Sequence, residues 1–345
     1  MKLSDFNYEL TPDRIAQEPV SPRDHSRLLV LDRKSGTMRH QRFFEIGTFL
    51  TPGDVLVRNS TKVFPARLRG RKKTGGKAEA LLLKPMQDST IWRALVRGTT
   101  RRTELVFPDG LSAQMEERLD NGEWVLRFSR NSLRSYLDRY GEMPLPPYIK
   151  RPQVQPQDLQ RYQTVYAGTE GAVAAPTAGF HFTPNLISKL QEQGVVFLDI
   201  ILHVGWGTFR PIRVQDIEKH PMLSESYFVS SETAEQLNQA KTDHRRIIAI
   251  GTTSVRTLET ICDKKGTFSA GEGETDLFIY PGYRYKAVDG LVTNFHLPDS
   301  TPLLLANAFF SDKRNQTPFA LRPAYEEAIR EGYRFYSYGD AMLIQ

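Results

Sequence analysis

Between Phe64 and Pro147 the chain changes period, and this change constrains the fold more than any other feature. Short strand-like pieces follow one another there, at Glu79–Lys84, Ile91–Arg97, Glu104–Phe107, Leu111–Met115 and Glu123–Ser129. Trp92, Ala94 and Val96 share one face, as do Trp124, Leu126 and Phe128, while Arg93, Arg97 and Arg127 point the other way. That is the two-residue period of a strand with one buried side. Pro108-Asp-Gly110 and Asp120-Asn-Gly122 are turn signals between such strands. Repeated short strands with tight turns predict a small antiparallel barrel, closed by one helix over Ser132–Tyr140. Met143-Pro-Leu-Pro-Pro-Tyr-Ile149 then forms a stiff, extended connector, which reads as a domain boundary.

Outside this stretch, strand and helix patterns alternate. Arg27–Asp32 and Asp54–Arg58 are apolar runs of buried-strand length. After the connector, Thr183-Pro184 suits an N-cap and first helical position, and Gly194 suits the residue past that helix. Strands are expected at Val195–Leu202, Arg246–Gly251, Asp276–Tyr280 and Leu291–Phe295. Helical segments are expected near Glu232–Lys241, Ser254–Cys262, Thr301–Phe310 and Ala324–Arg330. Such alternation implies an α/β domain, a mixed sheet with flanking helices. The simplest architecture is an α/β catalytic domain made of residues 1–63 plus 148–345, with an all-β antiparallel barrel of residues 64–147 inserted into it. A chain of 345 residues is long enough for two cores, since one core rarely grows past roughly 250–300 residues.

Charge follows the same division. The net charge is +6, and the stretch 64–147 holds sixteen Lys/Arg against ten Asp/Glu, so the whole excess lies there. A basic module presented to a polyanion would show this pattern, as would a solvated surface with a chance surplus. Lys62–Lys77 carries seven basic residues and no acid, and its Gly75-Gly76 pair suggests a hairpin tip offering Arg71, Lys72, Lys73 and Lys77 to a phosphate backbone. A single cysteine, Cys262, leaves no internal disulfide and no thiolate-rich metal site. No apolar run approaches the roughly 20 residues of a membrane span. The N-terminal MKLSDFNYEL does not read as a signal peptide. A cytoplasmic monomer without membrane contact is expected.

Three loops at strand ends carry histidine beside small or hydroxyl residues: Gly168–Phe182 with His181, His203-Val-Gly-Trp-Gly-Thr208, and Asn294-Phe-His-Leu-Pro298 with His296. In an α/β fold these would meet at the carboxyl edge of the sheet, where histidine can serve as acid, base or donor. A buried, hydrogen-bonded histidine in a tight loop would account for any one of them. The Gly- and Ala-rich approach to His181 makes it the first choice for a base. Ile247–Arg256 is a strand running into a helix through Gly251-Thr252-Thr253-Ser254. Free N–H groups and the helix dipole there favour a phosphate or carboxylate, with Arg256 one turn along. Plain N-capping by Thr253 or Ser254 would explain the same residues. The histidines lack metal-ligand spacing, and no P-loop or Gly-x-Gly-x-x-Gly turn is present, so metal, NTPase and Rossmann dinucleotide chemistry are disfavoured.

These segments resemble the signature blocks of the S-adenosylmethionine:tRNA ribosyltransferase-isomerase family of queuosine biosynthesis. The blocks include Arg23-Asp-His-Ser-Arg-Leu28, Asn59-Ser-Thr-Lys-Val63 with Pro65-Ala-Arg67, Pro144–Ile149, Gly171–Phe182, His203–Phe209, Gly251–Arg256, Thr293–Pro298 and Tyr333–Met342, in family order along most of the chain. The resemblance implies transfer and isomerisation of the ribosyl part of S-adenosylmethionine onto 7-aminomethyl-7-deazaguanine at the tRNA wobble position. Epoxyqueuosine, adenine and methionine would result. It implies S-adenosylmethionine as co-substrate and no metal or prosthetic group. For this chain it points to His181, His203, His296 and Asp340 as catalytic. Thr177, Phe182, Gly205, Gly207, Thr208, Gly251, Thr252, Thr253, Ser254, Arg256, Asn294 and Phe295 would bind the small substrate. Arg23, Arg27, Arg67, Arg71, Lys72, Lys73 and Lys77 would hold tRNA. Trp206 stands where the family usually has a small residue, and Leu223 where it usually has histidine, so position 223 supplies no acid or base here. A non-enzymatic RNA-binding protein built on the barrel is the alternative, though it leaves the histidine loops unexplained. An ordinary methyltransferase is the other rival.

Overall fold

The structure, a computed structural model, describes residues 1–151, 155–209, 211–311 and 318–345. The first strands are β1 (Arg27–Leu31), β2 (Met38–Arg42), β3 (Val55–Asn59) and the short β4 (Thr61–Val63). Six strands follow: β5 (Arg67–Lys72), β6 (Lys77–Pro85), β7 (Ile91–Arg97), β8 (Glu104–Val106), β9 (Ser112–Arg118) and β10 (Trp124–Phe128). They close on themselves in the order β10-β7-β6-β5-β8-β9, every pair antiparallel. The expected barrel is therefore present. Its axis is filled by Leu68, Leu82, Leu105 and Leu126 together with the small Ala80, Ala94 and Ala113, all buried, which keeps the barrel narrow. Gly70 is required for the same reason, because a methyl there would collide with the Val106 carbonyl oxygen. Helix α1 (Arg134–Tyr140) closes one end, with Tyr136 and Leu137 buried and the Tyr136 hydroxyl donating to the Pro108 carbonyl at 2.7 Å.

The remaining helices are α2 (Asp158–Arg161), α3 (Pro184–Glu192), α4 (Ser231–Thr242), α5 (Thr252–Ile261), α6 (Thr301–Ser311) and α7 (Arg322–Arg330). The remaining strands are β11 (Thr169–Ala172), β12 (Val196–Leu202), β13 (Glu225–Val229), β14 (Ile247–Ile250), β15 (Gly271–Thr275), β16 (Gly290–Asn294) and β17 (Ala341–Ile344). Nine strands make the large sheet, in the order β15-β13-β12-β3-β14-β16-β17-β1-β2. Its centre, β12-β3-β14-β16, is parallel, with Val57 opposite both Leu198 and Ala249. Parallel strands are covered on both faces, which is why Val55-Leu56-Val57 and Ile247–Ile250 read as unbroken apolar runs and are buried throughout. Helix α3 starts as its sequence dictates: the Thr183 hydroxyl accepts from the Leu186 N–H at 3.1 Å, and Gly194 follows with φ +84°.

One expected strand is displaced. Asp276–Tyr280 is not in the sheet; the strand is β15, one step earlier and polar along most of its length. The chain leaves the sheet after Thr275 because Arg256 takes the Thr275 and Leu277 carbonyls, at 3.0 Å each, away from strand pairing. The polar edge strands β2 and β15 carry no apolar period, so the sequence pattern does not announce them. Among the described residues, no helix is long and apolar enough to cross a membrane.

Candidate active site at the carboxyl edge of the sheet

Because β12, β3, β14 and β16 run in one direction, their last residues Leu202, Asn59, Ile250 and Asn294 share one edge. Strand β17 enters from that edge, with Ala341 opposite Asn294, and β1 starts there, with Leu28 opposite Ala341. Topology thus gathers Ser26, His203, Gly251, Asn294, His296 and Asp340 from distant parts of the chain.

Gly251 carries the turn from β14 into α5 with φ +89°, a conformation that disfavours any side chain. Neither hydroxyl that could cap the helix does so. Ser254 Oγ donates back to the Ile250 carbonyl at 2.8 Å, and Thr253 Oγ1 is buried with no partner among the described residues. Thr252 and Thr253 line a cavity of about 60 Å³ with Thr177, Asn294, His296 and Tyr148. The free N–H groups of α5 and an unpartnered hydroxyl therefore face the same small space, a place for an anionic group. Arg256 borders a neighbouring depression with Thr252 and Thr253 rather than this cavity itself. Its guanidinium is buried, ion-paired to Glu225 and bonded to two backbone carbonyls. Each of its three guanidinium nitrogens has a protein partner, which fixes the side chain against β13 and the segment after β15.

The histidines occupy three different surroundings. His181 is 3% exposed, with Nδ1 2.7 Å from Ser26 Oγ and Nε2 3.2 Å from Asn294 Nδ2. The Asn294 amide also donates to the Tyr336 carbonyl at 3.1 Å, and Asn294 Oδ1 accepts from Thr177 Oγ1 at 3.1 Å. These contacts orient the amide, so His181 Nε2 accepts and Nδ1–H donates to Ser26. Burial first, then the charges of Arg334 and Arg23, push the His181 pKa down to about 3. His296 sits at the cavity with Nε2 2.7 Å from Thr293 Oγ1, and burial lowers its pKa to about 3 as well. His203 is only half-buried. Its Nδ1 lies 2.8 Å from Thr61 Oγ1, Nε2 has no partner among the described residues, and burial lowers its pKa. The ring lies against Gly171, where a Cβ would strike it.

His203 faces a cavity of about 700 Å³ between the sheet edge and the barrel. Gly205 and Gly207 line it, with Trp206, Leu223 and Glu170 beside them and Trp92 and Glu123 on the barrel side. Trp206 reaches across: its indole N–H donates to Glu123 Oε1 at 3.0 Å, while Glu123 also holds Arg93 at 2.6 Å. Leu223 packs next to Gly207, so Trp206 and Leu223 both border this cleft. Val204 borders both the large cleft and the small cavity, and the two adjoin there.

Several expected site residues are turned elsewhere. Phe182 and Phe295 are fully buried; Phe182 packs on Phe43 and Phe197, and Phe295 on Tyr325, Tyr333 and Phe335. Apolar rings at strand ends fill the core under the loops instead of facing a ligand. Asp340 is buried and accepts from the Arg27 and Arg334 backbone N–H groups and the Arg334 guanidinium, so it anchors the loop ahead of β17. Thr208 lies in the turn Trp206–Phe209 beside the cleft. Sequence reasoning assigns no role to Ser26, Thr61, Tyr148 or Thr293; only their place in the pattern blocks marks them.

The basic residues divide likewise. Arg67 pairs with Glu79 at 3.5 Å and donates to the Leu145 carbonyl at 2.8 Å, fastening the barrel to its connector. Arg27 stacks on Tyr333 with its guanidinium 3.8 Å from the ring centre and donates to the Glu331 carbonyl. Arg23 donates to the Gln160 and Gln163 carbonyls. Arg67 is thus held within the barrel and its connector, while Arg27 and Arg23 are held on the α/β side by a ring and by backbone carbonyls, without a carboxylate partner among the described residues. The tip of the β5–β6 hairpin is exposed as expected, but Lys73 is paired with Glu104 at 2.7 Å, which leaves Arg71, Lys72 and Lys77 as its unpaired cations among the described residues. No group of three or more His, Cys, Asp or Glu side chains is placed to hold a metal among the described residues.

A polar cavity at the sheet edge beside a wider cleft is the arrangement of an α/β enzyme's candidate active site. The comparisons with known proteins make this specific: the chain belongs to the queuosine biosynthesis protein family, whose pattern matches residues 3–344. It is 51% identical over 351 residues to the S-adenosylmethionine:tRNA ribosyltransferase-isomerase of Moorella thermoacetica, with 100% of each covered. To the protein of the same name from Thermotoga maritima it is 50% identical over 347 residues, again with 100% of each covered. A crystal structure of the S-adenosylmethionine tRNA ribosyltransferase from Thermotoga maritima matches with TM-score 0.57 at 40% identity, covering 99% of this chain and 100% of that one.

Proposed function

We propose that this chain is an S-adenosylmethionine:tRNA ribosyltransferase-isomerase. It moves the ribosyl group of S-adenosylmethionine onto the aminomethyl group of 7-aminomethyl-7-deazaguanine at the tRNA wobble position, rearranges it to the epoxide-bearing ring of epoxyqueuosine, and releases adenine and methionine. Full-length identity near one half to relatives of that name carries the reading. The small cavity at α5 suits the methionine carboxylate, with the N-terminal N–H groups and Thr253 Oγ1 as donors. At about 60 Å³ it takes one end of S-adenosylmethionine, and the remainder reaches past Val204 into the 700 Å³ cleft, where the modified base would enter.

The chemistry needs a base, because the sulfonium acidifies the neighbouring ribose carbon and the ammonium of the substrate must lose a proton before it attacks. His203 fits best. It borders the cleft, one nitrogen is anchored on Thr61, and the other is open. A lowered pKa keeps it neutral and able to accept near pH 7. His181 is better read as the residue that orients Asn294, and His296 as a neutral hydrogen-bonding wall of the cavity. Residues 1–63 with 148–345 are taken as the catalytic unit and 64–147 as the unit that meets RNA; the barrel's own closed core supports that division. The reading places the enzyme in the cytoplasm as a monomer. Incubation with S-adenosylmethionine and tRNA bearing the aminomethyl base should release adenine and methionine one for one with modified base. S-adenosylhomocysteine and methylated RNA would identify a methyltransferase instead, and tRNA binding without turnover would favour the RNA-binding alternative.

A further inference from the structure

We infer that Arg23, Arg161 and Tyr338 form a subsite for one phosphodiester of the RNA backbone, outside the pocket for the small substrate. The inference rests on the reading that the chain acts on tRNA. Arg23, in the turn before β1, and Arg161, at the end of α2, border a depression of about 20 Å³ together with Arg334, Phe180, His181 and Tyr338.

The charges there are unbalanced. Arg161 donates to the Val20 carbonyl and Arg23 to the Gln160 and Gln163 carbonyls, contacts that orient the guanidinium groups without neutralising them. Among the described residues, neither has a carboxylate within ion-pair distance. The two nearby acids are engaged, Asp158 with Arg151 at 2.6 Å and Asp340 with Arg334 at 3.3 Å. Two half-buried cations side by side repel each other, and burial together with the Arg161 charge lowers the Arg23 pKa to about 10. An anion placed between them would relieve that repulsion. Tyr338 supplies an independent sign of a missing ligand: it is 2% exposed, lines the depression, and its hydroxyl has no hydrogen-bond partner among the described residues. A buried hydroxyl without a partner is costly, and a ligand oxygen would satisfy it.

The size selects the ligand. A space of about 20 Å³ holds roughly one oxygen-sized atom, which suits the protruding oxygen of an anion better than a whole base or ribose. A non-bridging phosphate oxygen fits, with the rest of the phosphodiester at the mouth. The methionine carboxylate has the same chemistry, but the α5 cavity already offers it N–H donors and the Thr253 hydroxyl. The depression shares Ser337 with that cavity, so a strand held here would pass close to the transferred group.

The test measures binding of tRNA and of S-adenosylmethionine separately, each with the full-length protein. Arg161→Gln should weaken tRNA binding about fivefold to twentyfold and reduce the log–log salt slope by about 0.7–0.9, the value for one neutralised phosphate. Arg161→Lys, which keeps the charge, should retain most of the slope. Tyr338→Phe removes one hydroxyl and should weaken tRNA binding about twofold to fivefold without lowering the melting temperature. S-adenosylmethionine affinity by calorimetry should stay unchanged in all three. Unchanged tRNA affinity and slope in both Arg161→Gln and Tyr338→Phe would overturn the subsite. Loss of S-adenosylmethionine affinity with tRNA affinity intact would reassign it to the carboxylate. If Arg161→Gln unfolds, Tyr338→Phe decides alone. Failure of the parent protein to bind tRNA at all would instead remove the functional reading itself.

Discussion

The Asn294 side-chain amide donates to His181 Nε2 at 3.2 Å, which occupies the lone pair His181 would need to act as a base. With Ser26 on the other nitrogen, His181 has no open lone pair. His203 does. In single-turnover adenine release, His203→Ala should lose about a hundredfold to ten-thousandfold in rate while binding of both substrates survives. His181→Ala should mainly lower the melting temperature, because two hydrogen bonds and the packing of the ring disappear. Parent-like turnover by folded His203→Ala would place the base elsewhere.

Thr253→Val is nearly isosteric and removes a hydroxyl that the protein leaves unsatisfied. Stability should stay level or rise slightly, because a buried orphan hydroxyl is itself unfavourable. Affinity for S-adenosylmethionine should fall about threefold to tenfold, for a missing hydrogen bond of about 1 kcal/mol. Calorimetry checks this, and an unchanged dissociation constant would move the carboxylate away from α5.

Arg256 and Glu225 form a buried ion pair tied to the carbonyls of Thr275 and Leu277. Replacing one partner strands the other, at a cost of about 3–5 kcal/mol. Arg256→Ala should therefore unfold at lower denaturant, and its folded fraction should bind S-adenosylmethionine normally. Weaker binding with parent stability would return Arg256 to the ligand site.

His181, buried, and His296, half-buried beside the cavity, are held neutral, with pKa values pushed down by desolvation to about 3 from the ordinary 6.5. The unfolded chain then binds more protons than the folded one between these values, so stability is full above pH 6.5 and declines as pH falls toward 3. Each histidine should add up to about 1.4 kcal/mol of destabilisation per pH unit in that window. Urea melts at pH 7 and pH 5 should differ, and the His296→Gln variant should show the smaller difference. Equal differences in parent and variant would mean that His296 is not held neutral.

At the barrel tip, Lys73 is already paired with Glu104, so Arg71, Lys72 and Lys77 are the cations left for RNA. Changing these three to Gln should flatten the salt dependence of tRNA binding by roughly 0.7–0.9 for each phosphate that is no longer neutralised. Changing Lys73 alone should have little effect. A fall in affinity at constant slope would mean that the tip acts through folding.

The local pattern of the chain determined its elements and their order. Trp124, Leu126 and Phe128 mark a half-buried strand, and Ile247–Ile250 a fully buried one. Thr183-Pro184 and Gly194 set the ends of α3, because capping and φ preferences act within a few residues. The family resemblance lies in the sequence too, since its blocks are contiguous. Side-chain direction at the sheet edge is not legible there. Phe182 and His181 are neighbours, yet one fills the core and the other binds Asn294 from 113 positions away. Arg256 has the place of an anion ligand on α5, but β13 brings Glu225 against it. The edge strands β2 and β15 pair without an apolar period because their outer faces meet water. Which histidine keeps a free nitrogen, which arginines lack a carboxylate and which hydroxyl has no partner depend on groups far apart in sequence. Only the folded sheet brings those groups within hydrogen-bonding distance.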